Sequence, residues 1–120
     1  MTTAVLEKTL TLEEVSALHS NDVASMRGEY VTVAESGEHL NEYYKVHSRP
    51  VSVGGPYEYG KFWDKVSQVA EILKCCDEWP FPPLVVREKT LYDGHHRANA
   101  AIKVGWDKPI PVTTEWWDWW

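Results

Sequence analysis

The sequence contains few cysteines, no long apolar run and no cluster of basic residues, and each absence excludes a class of protein. Cys75 and Cys76 are adjacent, a spacing that suits neither an ordinary disulfide nor a zinc site, so we expect a reducing cytoplasm. No apolar stretch approaches the length of a membrane span. Glu7 and Lys8 interrupt the apolar segment that a signal peptide would need. We therefore expect a cytoplasmic protein that does not enter a membrane.

Basic residues are scarce, with 12 Lys and Arg against 18 Asp and Glu. Most of the acid excess lies in residues 1–60, which hold four Lys or Arg and nine Asp or Glu. Nonspecific duplex binding depends on clustered cations that neutralise phosphates, and this chain has no such cluster. The composition therefore excludes a broad DNA-binding surface, but it leaves room for a single nucleotide.

The length and composition predict one domain. The chain has 120 residues, 43% of them hydrophobic, and shows no internal repeat. A chain of this size buries roughly two thirds of its unfolded surface, which is enough for a single core. The pattern of short elements predicts an α/β (α+β) domain over residues 1–120, in which helices pack on a small mixed sheet.

Short elements are predicted in the first half of the chain. A strand is expected before Thr11, which forms a capping-box pattern with Glu14 and so predicts a short helix. Residues 21–28 have the composition of a turn, and residues 30–33 are β-formers that predict a second strand. Glycine and proline make residues 35–60 a predicted long loop or insertion, with a short strand near Val51.

Regular elements dominate the second half. Residues 61–76 are predicted to form a helix, because apolar side chains recur at three-four spacing: Phe62, Val66, Val69, Ala70 and Leu73. Prolines prevent the helix from continuing past Trp79. Short strands are expected at residues 84–86 and 90–92, with a tight turn between them. A last helix is predicted to begin after Asp93 and to end at Gly105.

The most informative segment is the predicted turn between the last strand and this helix. Asp93 is a suitable N-cap, and Gly94 allows close backbone approach. His95, His96 and Arg97 follow in the first turn. Backbone N–H groups and the helix dipole favour an anion at such an end, and Arg97 can clamp a phosphate with two hydrogen bonds. The residues therefore indicate a phosphate site, although an ordinary turn with surface histidines has the same composition.

The motif L-Y-D-G-H-H-R at residues 91–97, followed by A-A at 100–101, Gly105 and I-P-V at 110–112, resembles the signature of the ParB/sulfiredoxin superfamily. The resemblance implies a small α/β domain that binds nucleotide phosphates at Gly94–Arg97. In sulfiredoxins the catalytic cysteine stands where this chain has His95, so sulfinic-acid repair is not expected. In chromosome-partition proteins the domain binds and hydrolyses CTP. Since only eight residues follow Val112, we expect no helix-turn-helix module and no sequence-specific DNA binding.

The D-G-H-H-R form most closely resembles the free-serine kinases of the superfamily. That resemblance implies ATP or ADP as the nucleotide, Mg²⁺ at Asp93, and phosphates held by the His95–Arg97 turn. It also implies catalytic roles for Asp93, His95 and His96 and for an upstream glutamate, for which we take Glu14. Partition proteins place a basic phosphate contact ahead of the long helix, which makes Arg49 a second phosphate-binding candidate.

Two alternatives remain open at this stage. Some superfamily members are described as nucleases, and a metal-binding carboxylate cluster here would draw on Asp93 with Glu35 or Glu38. The other alternative is a non-catalytic acidic binding protein, an accessory factor of a phage or plasmid.

The terminal segment, residues 113–120, is unusual. Four of the seven tryptophans lie in the last five positions, and a domain this small cannot bury all four indoles. We therefore expect an apolar and acidic patch that binds a protein partner or forms a homodimer, through Trp116, Trp117, Trp119 and Trp120.

Overall fold

The computed structural model describes residues 8–47 and 62–115. Its strands and helices, in chain order, are β1 (Lys8–Leu10), α1 (Leu12–Ser16), β2 (His19–Ser20), α2 (Asn21–Arg27), α3 (Val33–His47), α4 (Phe62–Lys74), β3 (Leu84–Arg87), β4 (Thr90–Asp93), α5 (His95–Val104) and β5 (Ile110–Thr113). The predicted α+β class is confirmed. Among the described residues, no helix is long and apolar enough to cross a membrane.

One mixed sheet holds the five strands in the order β1-β5-β3-β4-β2. β1 pairs antiparallel with β5, and β5 lies parallel to β3. β3 and β4 form the predicted hairpin, whose turn residues Glu88 and Lys89 adopt φ of 48° and 66°. β2 then pairs parallel with the far side of β4. This order puts the end of β4 next to the start of α2, which directly follows β2.

Helix α4 is the element that the sequence predicted best. Its buried residues are the five of the predicted stripe: Phe62, Val66, Val69, Ala70 and Leu73. It packs along α5, and the ring of Phe62 lies against that of His96 in the first turn of α5. This contact holds the first turn of α5 in a fixed position beside α4.

The N-terminal region agrees with the prediction only in part. The capping box is confirmed, since the Thr11 backbone N–H donates to Glu14 Oε1 at 2.9 Å and the Glu14 N–H donates to Thr11 Oγ1 at 3.1 Å. The predicted turn over residues 21–28 is wrong, because those residues form α2. Ser20 caps this helix by accepting from the Val23 N–H at 3.2 Å, and Gly28 ends it at φ 71°.

The predictions for residues 30–47 are also wrong. The β-formers at 30–33 contribute only an isolated bridge between Thr32 and His19, and Val33 begins α3. Residues 35–47, predicted as loop, are helical. The buried stripe of this helix includes Ser36 and Gly37 beside Leu40, so it lacks the apolar periodicity that marks a helix. The predicted loop at 48–60 and its short strand lie outside the described residues.

Candidate functional site

The turn between β4 and α5 is shaped by Gly94. This residue is the N-cap of α5 and adopts φ 106° and ψ 26°, in the left-handed region. A Cβ at this position would lie 2.5 Å from Leu84 Cδ2, so only glycine fits. The prediction that Asp93 caps the helix is wrong, because Asp93 belongs to β4 and no side chain caps α5. The helix therefore begins with its positive end unmodified by a capping carboxylate or hydroxyl.

His95, the first residue of α5, is the centre of a buried polar network. Its side chain joins two residues of the neighbouring helix start. Nε2 lies 2.8 Å from Ser20 Oγ, and Nδ1 lies 3.2 Å from Asp22 Oδ2. His95 is 4% exposed and Ser20 is 1% exposed. This network fastens the start of α2 to the start of α5 and brings two segments of distant sequence together.

The protonation of the network follows from burial. Burial and the neighbouring His96 lower the pKa of His95 to about 3, so its imidazole is neutral at neutral pH. A neutral imidazole has one N–H donor and one acceptor nitrogen. The contact of Nε2 with Ser20 Oγ is a hydrogen bond whose direction depends on the tautomer of the ring. The contact of Nδ1 with Asp22 joins a neutral ring to a carboxyl group, so it is a close polar contact rather than an ion pair.

The Ser20–His95–Asp22 connectivity matches that of a serine-hydrolase triad. A hydrolase needs its serine to reach substrate, whereas Ser20 is 1% exposed and its oxygen also caps α2. The residue that reaches solvent is instead Asp22, whose side chain is 31% exposed. Asp22 is thus the solvent-accessible member of the network, and Ser20 is its buried member.

Two carboxyl groups, those of Asp22 and Asp93, lie near this end of α5. Burial, together with the negative charge of Asp93, raises the pKa of Asp22 to about 6. The Asp93 side chain is 34% exposed, so both groups are accessible from the surface. Paired carboxyl groups with a perturbed pKa are typical of acid–base and cation-binding sites. Asp22 is therefore a candidate site residue that the sequence analysis did not predict.

Arg97 connects the turn to the segment before β3. Its Nη1 donates to the Pro82 carbonyl at 2.8 Å, and its Nη2 lies 3.4 Å from Asp93 Oδ2. Burial lowers the pKa of Arg97 and the charge of Asp93 opposes that shift, so the guanidinium keeps its positive charge. The predicted basic residue is thus at the turn, held by contacts within the protein.

His96 faces α4. Its ring lies 4.6 Å from that of Phe62, centroid to centroid, with the two planes inclined by 31°. Burial, with the charges of Lys65 and Arg97, lowers the pKa of His96 to about 4. Both histidines of the turn are therefore neutral at neutral pH. Of the three predicted phosphate-binding side chains at the turn, Arg97 is therefore the one that is charged at neutral pH.

Behind the turn, Asn99 fixes α5 against α3. Its Nδ2 donates to the His95 carbonyl at 2.9 Å and to Ser36 Oγ at 3.2 Å. Gly37 leaves space on α3 for the Trp63 side chain, because a Cβ there would lie 2.3 Å from the indole. These contacts hold the first turn of α5 from the side opposite the sheet.

The other predicted site residues are not brought to this turn. Glu14 occupies the capping box and lines a groove with Trp106 and Lys108, which follow the opposite end of α5. Glu35 accepts from the Thr32 N–H and hydroxyl, both at 3.1 Å. Among residues 8–47 and 62–115, no group of three or more His, Cys, Asp or Glu could hold a metal ion. The pairing of Asp93 with Glu35 or Glu38 stays a prediction.

Five predicted site residues fall in segments that the structure does not describe. Arg49 and the four terminal tryptophans, Trp116, Trp117, Trp119 and Trp120, lie outside the described residues, and their roles stay predictions. A sequence signal for Asp22 did exist, since Ser20 precedes an acidic first turn and the apolar Val23, as at many helix starts.

Comparison with known proteins identifies the family. The model of the family described as "Mycobacterium phage L5 gene 81 protein" matches residues 1–119. The chain belongs to this family. The gene 81 protein of Mycobacterium phage L5 is 50% identical over 118 residues, which cover 97% of this chain and 100% of that protein. No solved structure matches the chain. The gene 81 family thus accords with the expected phage origin, and its description states no activity.

Proposed function

We propose that this gene 81 family protein binds a nucleotide, with the phosphates at the N-terminal end of α5. The observation that carries the proposal is the construction of that end. Gly94 caps the helix without a side chain, and the Arg97 charge lies one turn away. Helix N-termini of this kind attract phosphate through backbone N–H groups and the helix dipole. The strand, turn and helix around Gly94 also support a distant relationship to the ParB/sulfiredoxin superfamily, and the free thiols Cys75 and Cys76 are consistent with a cytoplasmic location.

The carboxyl pair makes the proposal specific. Asp22 and Asp93 would repel a nucleotide that arrived without a cation. Both offer oxygen ligands, the type that Mg²⁺ prefers, and Mg²⁺ commonly combines one or two carboxylates with substrate phosphates and water. These residues fit the ion, which would neutralise phosphate charge when bound. We therefore infer that nucleotide binding requires Mg²⁺, with Asp93 as its predicted ligand and Asp22 beside it.

Asp22 is also the residue best suited to acid–base chemistry in phosphoryl transfer or nucleotide hydrolysis. With a pKa raised to about 6, the carboxylate is a stronger base than an ordinary aspartate and is still ionised at neutral pH. It would accept the proton of the attacking hydroxyl group. His95 and Ser20 would act as positioning residues that fix the carboxylate.

The experiment is isothermal titration calorimetry with CTP, ATP and ADP, each with and without Mg²⁺. We expect the wild-type protein to bind one of them only with Mg²⁺, and Arg97→Ala to weaken binding about tenfold or more, the loss of one charge-assisted contact. Arg87→Ala is the matched control. Arg87 lies on the β3–β4 hairpin, away from the turn, and like Arg97 it donates to a backbone carbonyl, that of Thr114 at 2.7 Å. Circular dichroism would verify that each variant is folded. If the folded wild type bound none of the three nucleotides, the proposal would be wrong.

A further inference from the structure

A second surface lies near the other end of α5, along β1. Two adjoining cavities of about 470 and 280 Å³ share the lining residues Thr9, Lys108 and Pro109. Together they form a groove, which we call the β1 groove. β1 stands at the end of the strand order, and its one partner among the described residues is β5. Thr9, which lies opposite Pro111 in that pairing, lines both cavities. An extended segment can therefore lie alongside an edge strand here.

Aromatic rings form part of the wall of the β1 groove. The ring centroid of Trp79 lies 5.5 Å from that of Phe81 and 5.9 Å from that of Trp106, in both cases edge to face. The Trp79 indole N–H donates to the Pro82 carbonyl at 3.2 Å, which fixes its ring. Prolines at positions 83, 109 and 111 also line the groove. Rings held in this way present a preformed apolar surface that loses little conformational freedom on binding.

The charge of the β1 groove is negative. Its lining includes four carboxylates and one ammonium group: Glu14, Asp77, Glu78 and Asp107 against Lys108. The ammonium group is partly engaged already, because Lys108 Nζ lies 3.4 Å from Asp107 Oδ1. The exposed Asp77 and Glu78 therefore stand beside the aromatic rings with no lysine or arginine among the lining residues of their cavity except Lys108.

Trp106 carries two further signs of an incomplete surface. Its indole N–H is buried and has no hydrogen-bond partner among residues 8–47 and 62–115, which is uncommon for a buried donor. Lys108 Nζ lies 4.8 Å from the centre of its ring, a cation–π distance. The Lys108 side chain is 44% exposed and can rotate away. Its ammonium group thus occupies a position that suits a cationic side chain of a ligand.

We propose that the β1 groove binds an extended, arginine-rich segment of a protein partner. Guanidinium groups suit this surface because they pair with carboxylates through two hydrogen bonds and stack on aromatic faces. Asp77 and Glu78 supply the carboxylates, and the partly exposed Trp79 and Phe81 supply the rings. Backbone groups of the partner would lie along β1. This proposal is independent of nucleotide binding, because it uses no residue of the Asp22–Asp93 site.

The test is fluorescence anisotropy with a short fluorescein-labelled peptide in which arginine alternates with threonine. We expect saturable binding to the wild-type chain that weakens as salt increases. The double variant Asp77→Asn/Glu78→Gln should bind about fivefold more weakly, since each exposed ion pair contributes less than about 1 kcal/mol. Lys108→Ala should bind more tightly, because it removes the competing cation. Glu88→Gln, an exposed carboxylate on the hairpin, is the matched control and should leave the affinity unchanged.

Several outcomes would overturn the proposal. One is equal binding of the peptide with glutamate in place of arginine. Another is tighter binding of an uncharged proline-rich peptide. Equal loss in Glu88→Gln and in the double variant would show an unspecific charge effect. Self-association of the chain through Trp79, tested by sedimentation of wild type and Trp79→Ala, would assign the groove to a second copy instead.

Discussion

Both ends of α5 are closed by a glycine with positive φ, but they are built differently. At the C-terminal end, Gly105 adopts φ 67° and an added Cβ there would meet no atom within 4 Å. The Trp106 and Gly105 N–H groups donate to the carbonyls of Ala101 and Ile102, at 3.0 and 3.2 Å, so the backbone completes its own cap. At the N-terminal end, Gly94 is tightly packed and no side chain caps the helix. Buried titratable groups surround that end instead.

We propose that this difference separates a structural helix end from a ligand-binding one. The C-terminal end satisfies its carbonyls with local backbone bonds. The N-terminal end keeps the buried His95 and the half-buried His96 neutral and places the charge of Asp93 near enough to raise the pKa of Asp22, arrangements that cost free energy. Stability alone would favour a simple cap with a serine or aspartate.

The largest expected effect is that of adding one carbon at each glycine. Gly94→Ala combines left-handed strain with a clash against Leu84, and we expect it to lower the free energy of unfolding by about 3–4 kcal/mol. Gly105→Ala has open space and should cost only about 1–2 kcal/mol, from strain alone. Urea unfolding of both variants measures the difference. Equal losses would mean that the two ends are packed alike.

Acid should destabilise the protein by protonating the histidines at the N-terminal end of α5. His95 and His96 have lowered pKa values of about 3 and 4, so the unfolded chain binds their protons first and stability is lost below pH 6.5. The raised pKa of Asp22 acts in the opposite direction between pH 6 and 4. The net proton uptake on unfolding predicts a loss of about 2–3 kcal/mol from roughly pH 6.5 to 4.5. Urea unfolding at several pH values checks this, and His96→Gln should flatten the curve. An unchanged slope would contradict neutral, buried histidines.

The smallest effect concerns Asp22 and has an unusual sign. Asparagine keeps an oxygen that can accept from His95 and removes a partly buried charge, so Asp22→Asn should stabilise the protein by about 1–2 kcal/mol at neutral pH. Because the wild-type pKa is raised from 3.8 to about 6, the gain should disappear below about pH 4, where the carboxyl is protonated in both folded and unfolded states. Thermal unfolding at neutral and acid pH measures the gain. Lower stability of the variant at neutral pH would contradict an energetic cost at Asp22.

The sequence predicted the second half of the fold because its local signals agree with its packing. The stripe of α4, the β3–β4 hairpin and Gly105 each behave as their residue types suggest. In the first half, α3 has Ser36 and Gly37 at buried positions, so its buried face lacks the signal of apolar periodicity. For the candidate site, the sequence predicted only the residues of one continuous motif, 93–97. Asp22 is separated from His95 by most of the chain, and only the pairing of β2 with β4 brings them together.

The central claim is that the N-terminal end of α5 is a phosphate-binding site and the C-terminal end is not. The most direct measurement is a nuclear magnetic resonance titration of the ¹⁵N-labelled protein with CTP, ATP and ADP, each with Mg²⁺. We predict that the amide signals of residues 94–97 shift with one nucleotide, while those of residues 103–106 stay in place. Absence of shifts at 94–97 with all three nucleotides, or shifts centred on 103–106, would contradict the account.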